Sequence, residues 1–139
     1  MKNFFTPRFA ALAMLFILAL VVLFHLLIVA GIIPYTIVWG GRLKTQEQML
    51  RFETVSIALN LLMLAVVAVK AGLLKVRLSP AVVQAALWMM FGLFLMNTIG
   101  NLFSTNELER MVFTPLTLWL ALFSLQLARD KAGEASRSR

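Results

Sequence analysis

The chain has 139 residues, of which 61% are hydrophobic and 14% charged, with a formal net charge of +7 and a mean hydropathy of +0.90. That composition lies outside the range of a soluble domain and specifies an integral membrane protein. Its Lys and Arg residues sit at the ends of apolar segments rather than on one polar face, which points to membrane topology and not to nucleic acid; with no cysteine, disulfide frameworks, thiolate metal sites and thiol redox chemistry are excluded.

Four spans of about 20 residues each, with short connections, use almost the whole length, so the expected fold is one all-α unit of four transmembrane helices in an antiparallel bundle. The first is predicted over 8–33. Lys2 and Arg8 precede an apolar run too long for the roughly 7–15-residue core of a signal peptide, which makes it a retained span. Pro34, without an N–H, should end it. Tyr35 and Trp39 follow as interfacial aromatics, and Trp39-Gly40-Gly41-Arg42 reads as a turn.

The second helix is predicted over 46–72. Its uncharged stretch, 54–69, is only 16 residues, so it must also contain charged residues. Thr45 with Gln48 fits a capping box. The helix then projects about two turns beyond the membrane, leaving Arg51 and Glu53 near the boundary. Ser79 and Pro80 give a start for the third helix, over 80–103. Asn106 and Glu109 loosely echo a capping box for the fourth, over 107–128, and 129–139 reads as a charged cytoplasmic tail.

Nine basic residues (Lys2, Arg8, Lys70, Lys75, Arg77, Arg129, Lys131, Arg137 and Arg139) fall on one side, against Arg42, Lys44, Arg51 and Arg110 on the other. This bias predicts cytoplasmic N- and C-termini. The connections before the second and fourth helices are then outside.

Polar residues interrupt the spans at one depth. At 1.5 Å per residue, His25 lies roughly 13 Å below Pro34, Asn60 roughly 10 Å below Glu53 and Asn97 roughly 10 Å below Ser104. Glu53, Ser56 and Asn60 share one helical face, as do Asn97, Asn101 and Ser104. Against lipid such groups are costly, so they should face the bundle interior or a wet cavity. The asparagines either bond between helices or line a ligand site.

Glu53 reads either as half of an interfacial ion pair, with Arg42 as a possible partner, or as a ligand- or proton-binding carboxylate at the cavity mouth. His25, the only histidine, suits proton transfer, but with no second His or Cys it makes no metal site, and a bond to a neighbouring helix is the simpler reading. Trp39 and Arg42 form either an anchored turn or a lid over a bound headgroup. Pro115, beside Thr114 and Thr117, either loosens the fourth helix and widens a cavity or is a first-turns proline tolerated for packing. Eight methionines and eleven phenylalanines read as lipid-facing and packing surface rather than a cofactor box, and no cofactor or metal is expected. Ala68 and Gly72 offer a small close-approach face.

The strings Trp39-Gly-Gly-Arg-Leu43, Arg51-Phe-Glu53, Asn97-Thr-Ile-Gly-Asn101 and Thr114-Pro-Leu-Thr117 resemble those of a group of small bacterial four-span proteins described as hypothetical membrane proteins. The resemblance implies a bacterial inner-membrane location and supplies no activity.

Three functions remain open. The first is binding or transport of a small amphipathic molecule or lipid in an outward-facing cavity lined by Glu53, Asn60, Asn97 and Asn101. The second is an accessory subunit whose loops meet a membrane partner or a second copy. The third is an acid–base enzyme using Glu53 and His25, which ranks last because those backbones should differ by about 13 Å along the membrane normal.

Overall fold

The computed structural model describes residues 6–131, which are all-helical apart from turns and connections. Lys2, Arg137, Arg139 and the tail beyond Lys131 lie outside the described residues. The four long helices are α1 (Pro7–Val29), α2 (Gln46–Lys70), α3 (Pro80–Leu102) and α4 (Thr114–Arg129), the last preceded by a π turn, Glu109–Phe113. Each is long and apolar enough to cross a membrane once the π turn is counted with α4. The protein is therefore a multi-pass membrane protein whose architecture is compatible with a four-helix bundle.

Local chemistry sets most of these boundaries. Thr6 caps α1 by accepting the Phe9 N–H, with Pro7 in the first turn. Thr45 caps α2 through the Gln48 N–H, and Gln48 Oε1 reaches back to the Lys44 N–H, one residue earlier than a strict capping box requires. Pro80 opens α3 as expected, although the Ser79 side chain makes no capping bond.

The first helix ends earlier than predicted, at Val29 rather than Ile33. The cause is Gly31, at φ +80°. Its N–H bonds the Ile28 carbonyl while the Ile32 N–H bonds Leu27, the pairing of a Schellman motif. Gly72, at φ +78°, ends α2 in the same way, with bonds from Gly72 to Val69 and from Leu73 to Ala68. Pro34 is thus five residues past the end of α1, inside a connection that folds back across the bundle as two short 3-10 turns, Tyr35–Ile37 and Trp39–Gly41.

Helices α1 and α2 form one hairpin and α3 and α4 the other; the hairpins meet mainly through α1 and α4, and the α2–α3 seam is the loosest of the four. The main core occupies the half nearest the chain ends, around Met14, Leu18, Val67, Leu87, Leu120 and Leu127. Small residues permit close approach there: Ala10, Ala11, Ala121 and Ala128 are all buried, whereas Ala68 is half-buried and Gly72 exposed. Ala121→Leu is expected to overpack this contact and cost about 1–3 kcal/mol in reversible unfolding from mixed micelles. A second cluster, Ile28, Val38, Leu43 and Met49, seats the folded-back connection. Outward-facing Phe16, Met89, Met96 and Phe103 leave an apolar belt for lipid.

Candidate functional site

Between the two clusters lies a cavity of about 370 Å³ to which all four helices contribute. Its polar wall includes His25, Ser56, Asn60, Asn97, Asn101 and Glu109, and Trp39 stands at the loop end. A second recess of about 850 Å³ shares Trp39, Asn97, Asn101 and Glu109 with it and adds Arg42. The polar residues predicted at one depth therefore gather around one space, with Pro115 exposed and outside its lining.

Glu53 is not at the mouth. It is 0% exposed and lies behind the lining. Its Oε2 is 2.5 Å from His25 Nδ1, and its Oε1 accepts the Trp39 Nε1–H at 2.8 Å. The expected 13 Å offset between His25 and Glu53 is overturned by this contact. That offset took Pro34 and Glu53 as markers of one membrane surface. The early end of α1 leaves His25 only four residues from Val29, while Glu53 is seven residues into α2. Val38, Trp39 and Leu43 of the connection pack on one side of the part of α2 expected to project into water, burying Met49 and Glu53 while Glu47, Leu50 and Arg51 stay exposed.

Arg42 is likewise not the partner of Glu53. Among the described residues the ion pairs are His25–Glu53 and the exposed Glu47–Arg51. A buried carboxylate needs donors to offset its lost hydration, and Glu53 has two ring N–H groups from different elements. With Glu53 ionised, we assign the His25 proton to Nδ1. Nε2, which has no partner among the described residues, then remains for the cavity. This arrangement fixes the ring and its tautomer as a carboxylate does behind a metal-bound or catalytic imidazole.

Trp39 carries a strained backbone. Its φ is +55°, alone among the described non-glycine residues in being positive, a conformation that costs a bulky residue about 1–3 kcal/mol. Glycines at φ +63° and +72° follow it. The bond to Glu53 and an edge contact with Phe52, at a 5.2 Å centroid separation, hold the indole in place. Trp39 thus lies over the cavity while Arg42 stays exposed beside the outer recess.

Glu109 carries more of the site than its expected role in a helix cap. Its Oε1 accepts the Gly40 N–H at 2.8 Å and its Oε2 the Ser104 hydroxyl at 2.5 Å, so one carboxylate joins the two connections. The helix start itself is capped by Asn106, whose Oδ1 accepts from the Leu108 and Glu109 N–H groups and whose amide nitrogen donates to the Ile37 carbonyl. The π turn then carries Glu109 and Phe113 to the cavity wall. Such turns widen a helix locally and recur at binding sites.

The asparagines divide. Asn60 donates to the Ser56 carbonyl one turn back, at 2.7 Å. The side-chain amides of Asn97 and Asn101 make no hydrogen bond among the described residues, and both residues line the cavity. A direct side-chain bond between α3 and α4 runs instead from Thr98 to Thr117, at 2.9 Å, with Thr117 on the cavity wall. Sequence reasoning passed over Thr98; its signal was its position one residue from Asn97, on the adjacent face.

No group of three or more His, Asp or Glu side chains that could hold a metal occurs among the described residues. The chain matches no protein-family model, no curated protein and no solved structure.

Proposed function

We propose that this protein binds a small amphipathic molecule, its polar head in the cavity and its apolar part in the α2–α3 seam. The observation that carries this reading is the pair of unpartnered amides, Asn97 and Asn101, on the wall of a cavity of about 370 Å³. If the polar layer served only to bind helices together, its amides would be spent on one another. Here they face open space, Asn97 exposed and Asn101 half-buried, and at membrane depth an unpaired amide costs about 1–3 kcal/mol unless water or a ligand satisfies it. The loose seam supports access from the bilayer. Charge bias favours cytoplasmic termini, with the cavity opening outward, and the resemblance to small bacterial four-span proteins favours an inner membrane.

Native mass spectrometry of the full chain released from its own membranes tests the proposal. The expected result is a bound small amphipathic molecule. A bare chain, together with no gain in melting temperature across a panel of amphiphiles, would overturn it.

The His25–Glu53 contact favours a second reading, in which bound molecules exchange a proton with His25. A carboxylate-oriented imidazole facing a cavity is suited to accept a proton from a ligand O–H or N–H, with Glu53 holding the resulting imidazolium. This reading adds chemistry to the same pocket and needs the same occupant.

A further inference from the structure

The cavity wall has a charge character that the polar layer alone does not express. No Lys or Arg lines it, whereas Glu109 does. Both donors to that carboxylate, the Gly40 N–H and the Ser104 hydroxyl, are neutral. No Lys, Arg or His nitrogen lies within 4.0 Å of it among the described residues. Its hydrogen bonds come from neutral groups, with no cation at ion-pair distance. Glu53 adds a second carboxylate behind the wall, matched by His25.

The apolar lining of the same cavity includes the rings of Phe24, Trp39 and Phe113. Phe113 ends the π turn that Glu109 begins, and its ring lies 5.1 Å from that of Phe24, tilted by 58°. Trp39 adjoins Gly40, to which Glu109 is bonded. Aromatic faces attract cations and repel anions, and the interaction strengthens where water is excluded. A carboxylate and three rings lining one cavity, with amide oxygens available on Asn97 and Asn101, make the chemistry of an organic-cation site. An anionic headgroup would meet Glu109 and find no Arg or Lys on the wall.

Resting on the amphiphile-binding reading above, we infer that the cavity takes an organic cation, an ammonium group on an apolar tail, with Glu109 and the rings of Phe24, Trp39 and Phe113 around the charge. Arg42 opposes it from the rim. Its Nε and Glu109 Oε2 approach the same point over Gly40, 3.8 and 4.0 Å from where a Cβ on that glycine would lie. Removing Arg42 should therefore tighten cation binding.

The test uses the full chain in nanodiscs of zwitterionic lipid, with empty nanodiscs as background, titrated calorimetrically with three probes of one tail length. These are octyltrimethylammonium, octyl sulfate and the neutral octyldimethylphosphine oxide. The expected order is cation tightest, with at least about tenfold over the anion. Glu109→Gln, which keeps an acceptor for Gly40, should weaken the cation about tenfold and leave the neutral probe unchanged; Arg42→Ala should strengthen the cation severalfold. If Glu109→Gln fails to fold, the probe order on the unaltered chain and on Arg42→Ala still decides. Equal binding of all three probes, or preference for the neutral or anionic one, overturns the cation assignment and leaves the amphiphile site standing. If none of the three binds, the amphiphile site itself falls, and the cation assignment with it.

Discussion

His25→Leu is expected to lower the unfolding free energy by about 3–5 kcal/mol, because it leaves the Glu53 carboxylate buried with one of its two donors gone. The cost arises from the stranded partner more than from the lost bond. A second substitution therefore separates this account from ordinary packing loss. Glu53→Leu in the His25→Leu background removes the stranded charge, and the double variant should be more stable than His25→Leu alone. Trp39 then loses its acceptor, and its strained φ of +55° loses the bond that holds the indole. Recovery should accordingly be partial. Reversible unfolding in mixed micelles, with all variants in one lipid composition, gives the full cycle. Simple additivity of the two single effects would show that the contact is not an energetic unit.

The second large effect concerns binding rather than stability. Asn97→Leu removes an amide without a partner among the described residues, so it should change stability by less than about 1 kcal/mol, or raise it. The same substitution removes a polar group from the cavity and fills part of its space. Retention of the co-purifying molecule should fall at least about tenfold, the loss expected when a buried polar group of a ligand is left unmatched. A helix-bonding asparagine would give the reverse pattern, a loss of stability with ligand retention unchanged. Thr98→Val serves as the contrasting case: it removes the Thr98–Thr117 bond between α3 and α4 and should affect stability first.

Much of the fold was legible in the chain because helix starts carry local chemistry. Thr45 with Gln48 announced α2, and Pro80 announced α3. Helix ends were less legible: Pro34 drew attention as a breaker, while Gly31, three residues earlier, had already reversed the chain. That difference propagated into the site. Counting depth from Pro34 on one helix and from Glu53 on the next used two levels that the folded-back connection does not share, and it separated two residues that touch. The pairing of α1 with α2 followed from topology, but the height at which they pair depends on how residues 30–45 pack. Val38 and Leu43 settle this by burying themselves beside Ile28 and Met49.

The polar stripe on α3 was legible from the four-residue spacing of Asn97 and Asn101. Glu109 was visible only as half of a cap. Its link from the π turn to Gly40 spans 69 positions, and no local pattern reports such a contact. The same holds for Trp39 and Glu53, whose bond depends on a backbone conformation that tryptophan rarely adopts.

A polar layer that encloses a ligand site differs in its contents from one that merely fastens the helices. An experimental structure of the full chain in a native-lipid nanodisc distinguishes the two most directly. The predicted result is density for a bound amphiphile between α2 and α3, its polar head within hydrogen-bonding distance of Asn97 or Asn101, with His25 and Glu53 still paired behind it. A closed seam, with Asn97 and Asn101 bonded to neighbouring helices and no space between them, would contradict it.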